Sequence, residues 1–218
     1  MSPRRAMGFV DGLNLYHAVD RLGHDHLKWL DLWRLVGAFS PAPAFELSGV
    51  IYCSAYATWK PDRYARHREY VRALDSAGVT ALLGQFKKRR RSCHRCHSAW
   101  TAHEEKESDV SLAVEMVARS FADEYDTAFL VTGDSDLAPA IRTVKSYFPT
   151  KVVRVLIPPG QSRSSELAEA AGGRGSVRYI KRAHLEQSLL PAVGVARNGR
   201  PWTRPIAYDP PPHPTRPE

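Results

Sequence analysis

Short apolar runs recur along the chain at Met7–Val10, Gly49–Tyr56, Val79–Gln85, Thr127–Thr132, Val152–Ile157 and Val177–Ile180. Their length and their β-branched and aromatic content predict strands. Amphipathic stretches lie between them. In Asp109–Glu124 the residues Val110, Ala113, Val114, Val117 and Phe121 recur at helical spacing, which predicts a helix burying that face. A second helix is expected from Pro61, where proline suits a first-turn position, to the stop at Gly78. Alternation of this kind is the signature of an α/β protein with a mostly parallel sheet.

Two segments break the alternation. Residues 86–107, FKKRRRSCHRCHSAWTAHEEKE, read as a connection far longer than usual, and such connections tend to be functional or disordered. From Pro191 onward the chain carries eight of its sixteen prolines, so residues 191–218 are expected to form an extended or disordered tail on a domain spanning 1–190.

Composition narrows the class. The chain has 218 residues, 43% hydrophobic and 25% charged, with no apolar run near the ~20 residues that cross a bilayer. The apolar stretch before Asp11 is too short for a signal peptide, so a cytoplasmic protein with no membrane partner is expected. Three cysteines, two of them in one Cys-x-x-Cys, suit a reducing compartment and a metal rather than a disulfide framework. A net charge of +8 suits a polyanionic partner, with generic solubility charge as the alternative.

The sharpest chemistry lies in the aspartates. Asp11 ends the first strand in FVDGLNLYHA; Asp134 and Asp136 follow the fourth in FLVTGDSDLAPAI; Asp109 opens the helix before it. Ligands bind at the carboxyl ends of parallel strands, so these acids are expected to share one crevice, with Asn14 one helical turn beyond Asp11. Each acid alone could be a helix N-cap, Asp136 best of all because Pro139 follows it. As a group they repel: two carboxylates about 4 Å apart cost roughly 4 kcal/mol at an effective dielectric of 20. A hard cation, Mg²⁺ or Mn²⁺, relieves that and activates water against a phosphodiester.

FVDGLNLYHA, EEKESDVSLAVEMV and FLVTGDSDLAPAI together resemble the signature segments of NYN domains, in the PIN-like nuclease superfamily, and specifically its LabA-like branch. The resemblance covers about residues 6–182. It implies a Rossmann-like (PIN-like) three-layer α/β/α fold, metal-dependent cleavage of RNA, and metal binding by Asp11, Asp109, Asp134 and Asp136. Asn14 and Ser135 match the supporting polar positions.

Cys93 and Cys96 followed by His103 have the ligand types of a zinc site, with His97 nearest as a fourth ligand and His94 or Cys53 as alternatives. The competing reading is an exposed, redox-sensitive cysteine pair. LabA-like sequences often carry a comparable insert before the acidic helix. Lys87, Lys88, Arg89, Arg90, Arg91 and Arg95 surround the cysteines, with Trp100 nearby for stacking, and read as an RNA-binding loop beside the acidic edge. The residues and the resemblance together imply a metal-dependent endoribonuclease, with Asp11, Asp134 and Asp136 as ion ligands and Asp109 as ligand or base. A non-catalytic RNA-binding regulatory module with a zinc knuckle is the alternative, and a nucleotide phosphatase the third reading.

Overall fold

A computed structural model describes residues 2–211. A seven-stranded sheet runs in the order β4-β3-β2-β1-β5-β6-β7. Its strands are β1 (Arg4–Asp11), β2 (Phe45–Ala55), β3 (Val79–Ser92), β4 (Ala99–Lys106), β5 (Thr127–Val131), β6 (Val152–Ile157) and β7 (Val177–Tyr179). All pairs are parallel except β3–β4. The six expected strands all form, because each apolar run can be buried on both faces of a central parallel sheet.

Helices cover the two faces. On one side lie α1 (Gly12–Asp20), α2 (Leu32–Gly37), α3 (Pro61–Ser76) and α7 (Arg182–Glu186), joined in a core that includes Leu15, Leu35, Leu74 and Leu185. On the other lie α4 (Ser108–Phe121), α5 (Ala138–Tyr147) and α6 (Ser165–Ala170), packed through Leu112, Met116, Ile141 and Leu167. This is the three-layer α/β/α arrangement. None of these helices is long and apolar enough to cross a membrane.

Three expectations need correction. The buried face of α4 carries Leu112, Met116 and Ser120, whereas Val110, Val114 and Phe121 are exposed. Ala113 and Val117 lie between the two stripes and pack against the core either way, so the helix has two apolar stripes and the sheet takes the one bearing Leu112 and Met116. Residues 86–107 are an ordered hairpin, not a loop: β3 continues past its last pairing with β2 at Gly84 and turns back as β4, with eight paired positions from Gln85↔Lys106 to Ser92↔Ala99.

The third correction concerns the tail. Residues 191–211 contain a small hairpin, β8 (Val193–Val195) and β9 (Pro201–Thr203), and its Trp202 is buried against Trp29 at 5.9 Å. The Trp29 indole N–H donates to the Pro191 carbonyl at 2.8 Å, so the proline-rich segment is tied to the domain. The expected disorder of residues 212–218 lies outside the described residues.

Candidate active site

Strand order decides where a ligand sits. The chain winds from β1 outward through β2 and β3, then returns to β5 on the other side of β1 and winds outward again. The order reverses between β1 and β5, and the crevice at that switch point is where parallel sheets bind ligands. Asp11 ends β1 and Thr132, Gly133 and Asp134 follow β5, so both segments open into this crevice.

Asp11 is nearly fully buried. It caps α1, with Oδ1 accepting the Asn14 backbone N–H at 3.0 Å, while Oδ2 accepts the Thr132 hydroxyl at 2.9 Å. The Thr132 hydroxyl in turn accepts the Asp134 N–H at 3.0 Å, which ties the two acids together across the switch point. The Asn14 side-chain oxygen accepts the Gly133 N–H at 3.0 Å, and the Gln161 amide reaches the Asn14 carbonyl at 3.5 Å. Asp134 caps the short turn Ser135–Leu137 by accepting the Asp136 N–H at 3.0 Å. The capping reading therefore belongs to Asp11 and Asp134; Asp136 caps nothing, because α5 begins after Leu137 without a side-chain cap. Ser135 opens the turn and is half-buried, and Asp136 is exposed.

Two glycines make the approach of these segments feasible. A Cβ on Gly12 would sit 2.6 Å from the Cys53 carbonyl oxygen and inside the Tyr52 ring, and one on Gly133 would overlap the Gln161 side chain. Asp109 reaches the same crevice from the first turn of α4. Glu107, at φ +85°, turns the chain there from β4 into the helix.

Electrostatics records the crowding. Burial pushes the Asp11 carboxyl up to about 6; the charges of Asp109 and Asp134 push the same way, against the hydrogen bonds from Asn14 and Thr132. Asp109 is likewise raised, first by burial and then by Glu105, Asp134 and Asp136. The structure thus brings Asp11, Asn14, Asp109 and Asp134 to one crevice, with Asp136 at its rim. Thr132, Glu105 and Gln161 were not singled out from sequence. The Thr-Gly pair directly after a strand was the available signal for Thr132; the other two come from distant segments. Among the described residues no three His, Cys, Asp or Glu side chains stand close enough together to hold one ion.

The hairpin leaves the carboxyl edge of the sheet beside this crevice. Arg91 hydrogen-bonds Glu104, and Arg89 and Lys106 stand 3.8 and 3.5 Å from the same carboxylate. Lys87, Lys88, Arg90 and Arg95 are exposed and form no ion pair among the described residues. The expected zinc set is not assembled. His103 pairs with Lys88 and stacks on Trp59 at 3.8 Å, whereas Cys93 lies five residues further along the hairpin, roughly 17 Å at the usual strand rise. Cys53 is buried in the sheet core beneath α4. Cys93 and Cys96 sit at the hairpin tip with His97, which adopts φ +53°, and hydrogen bonds from Ser98 lower the Cys96 thiol to about 7.

The family model for the NYN domain matches residues 5–173. The chain belongs to the NYN domain family. NYN domains form part of the PIN-like nuclease superfamily. A curated relative, 6-hydroxy-3-succinoylpyridine 3-monooxygenase HspA of Pseudomonas putida (strain DSM 28022 / S16), is 25% identical, with 94% of this chain and 76% of its own length covered. A crystal structure of a Vibrio parahaemolyticus protein of unknown function shares the fold, with a TM-score of 0.56 and 18% identity over 86% of this NYN chain and 97% of that one.

Proposed function

We propose that this NYN protein is a divalent-metal-dependent endoribonuclease that hydrolyses RNA phosphodiester bonds at the Asp11–Asp109–Asp134 crevice. The observation that carries the reading is the convergence of these acids at the switch point, where burial and mutual charge raise Asp11 and Asp109. Among the described residues none of these acids forms a salt bridge with a Lys, Arg or His. The acids' donors are hard oxygens, which fit Mg²⁺ or Mn²⁺. Mg²⁺ is commonly held by one or two carboxylates and keeps several waters, so a pair such as Asp11 and Asp134, linked through Thr132, suffices without a three-sided cage.

Asp11 and Asp134 would hold the ion directly, with Asp136 at the rim reaching it through bound water and Asp109 as base for the attacking water. When bound, the ion supplies charge neutralisation at the phosphate and a more acidic water. Thr132 and Asn14 hold the two carboxylate segments in place, and Ser135 fixes the turn that carries Asp136. Lys87, Lys88, Arg90 and Arg95 of the hairpin, with half-exposed Trp100 beside them, would bind the phosphate backbone of RNA. At the tip, Cys93 and Cys96 would bind zinc only with ligands other than His103; their spacing and the acidic thiol of Cys96 support a reactive cysteine pair as readily.

The test is incubation of purified protein with single-stranded and structured RNA in Mn²⁺, Mg²⁺ or EDTA. Cleavage with either metal and none in EDTA supports the reading. Tight RNA binding without metal-dependent turnover supports the RNA-binding module instead. A second reading follows from the Pseudomonas relative, whose name states oxygenation of a substituted pyridine. It would be favoured by oxygen consumption with a hydroxypyridine acid and a reductant in the absence of RNA cleavage.

A further inference from the structure

Beside the carboxylate crevice, and separate from it, lies a cavity of about 270 Å³. Gly12, the residue after Asp11, forms part of its wall, together with Ser54 and Ala55 at the carboxyl end of β2. None of the four aspartates lines it. Six aromatic rings, Tyr16, Tyr52, Trp59, Tyr70, Phe86 and Tyr208, contribute to its remaining walls alongside aliphatic side chains. Tyr208 comes from the segment that sequence alone assigns to a tail.

Two of the ring hydroxyls are already satisfied within the protein. The Tyr52 hydroxyl lies 3.1 Å from His67 Nε2, and the Tyr70 hydroxyl donates to the Leu30 carbonyl at 2.9 Å. What Tyr52 and Tyr70 leave for a ligand is ring surface. Trp59 is fixed by its stack on His103 and by an edge contact with Phe86 at 4.7 Å, so this wall is preorganised and connected to the basic hairpin. Three cations also border the space. Lys28 is paired with Asp20 and Asp25, whereas Lys60 and Arg63 are exposed and form no ion pair among the described residues.

Volume, wall and charge restrict the ligand. The space lies at the small end of ligand pockets, which suits one ring system and excludes a long acyl chain. Aromatic walls favour a planar ring through offset and edge contacts. Lys60 and Arg63 favour an anionic group on that ring's substituent. We propose that this cavity is a nucleotide subsite, receiving a nucleobase among the aromatic rings and a phosphate at Lys60 and Arg63. The assignment of that nucleotide to the RNA strand being cut rests on the ribonuclease reading; the binding itself does not. Because Gly12 follows Asp11 directly, a nucleotide seated here places the strand next to the carboxylate crevice.

Calorimetric titration of the full chain in EDTA separates the two, since no turnover is involved. Uridine 5′-monophosphate should bind, uridine at least about tenfold more weakly, and inorganic phosphate not measurably. Ala57→Phe, which fills the cavity, should weaken the nucleotide at least tenfold, and Trp59→Ala should do the same by removing a stacking surface. Trp59→Ala keeps the test open if Ala57→Phe fails to fold. The Lys60→Ala/Arg63→Ala pair should weaken the nucleotide but not the nucleoside. Displacement of the nucleotide by a short RNA supports its place on the RNA path, and a nucleotide that RNA does not displace overturns that placement. The subsite itself is overturned if the nucleotide binds no better than phosphate, if neither cavity variant changes its affinity, or if pyridine-3-carboxylate binds and the nucleotide does not.

Discussion

At the scale of single residues, Thr132 has an unusual position. Its hydroxyl donates to Asp11 and accepts from the Asp134 N–H, so one side chain sets the spacing of two acids that would otherwise repel. Thr132→Val keeps the shape and removes both hydrogen bonds. Cleavage should fall by roughly 10- to 100-fold, as for other groups that orient metal ligands, with RNA affinity in EDTA unchanged; the ratio of the two measurements distinguishes this from general unfolding. His67 offers a separate check on the cavity wall. Burial lowers its pKa to about 4, below the 6.5 of an unfolded histidine. The unfolded chain therefore binds the proton more readily, and the stability that His67 contributes is present above pH 6.5 and lost as pH falls towards 4. Asp11, raised to about 6, works in the opposite sense over much of that range. The comparison that isolates His67 is denaturant unfolding of wild type against His67→Gln. The wild type should lose on the order of 2 kcal/mol more between pH 6.5 and 4, less than the full shift gives because the ring is partly solvent-exposed.

Helix α4 shows at the scale of elements how a sequence pattern can be right in kind and wrong in direction. Its helical period is legible, yet it carries apolar residues on two stripes, and nothing local decides between Val110–Val114–Phe121 and Leu112–Met116. The sheet decides, through contacts with distant strands. Met116→Ala should cost about 2–5 kcal/mol in unfolding free energy, as buried truncations do, while Val114→Ala should stay within about 0.5 kcal/mol as an exposed change. The β3–β4 hairpin is hidden for a different reason. Beyond Gly84 it projects past the sheet and has no core face, so its strands lack the period-two alternation that reveals a strand. The β3–β4 ladder gives this segment its order. Within it the charges are unequal: Arg89 and Arg91 share Glu104, while Lys87, Lys88, Arg90 and Arg95 are unpaired among the described residues. Replacing those four by alanine should reduce the salt dependence of single-stranded RNA binding by up to about two to three units of log–log slope, at roughly 0.7 per lost contact. Arg89→Ala/Arg91→Ala should change it less. Fluorescence anisotropy over a salt series measures both.

For the whole molecule, the parts that sequence exposes are those whose environment is symmetrical along the chain. Central strands are buried on both faces, so they read as apolar runs, and the acids that follow them fall at the sheet's carboxyl edge by topology alone. That is why Asp11 and Asp134 could be placed together from sequence, along with Asn14, whereas Asp109 reaches the same edge from the first turn of α4. Hidden from sequence were the contacts between segments far apart: Trp29 with Trp202, Gln161 with Asn14, and Tyr208 closing a cavity that begins at Gly12. The central claim concerns the switch-point acids, and the most direct measurement is the single-turnover rate of RNA cleavage in saturating Mn²⁺ for wild type, Asp11→Asn and Asp134→Asn, using preparations that bind RNA equally in EDTA. The account predicts cleavage by wild type and loss of at least about a thousandfold in each variant, with folding retained because each change relieves repulsion rather than removing core. Wild-type rates in either variant would contradict it.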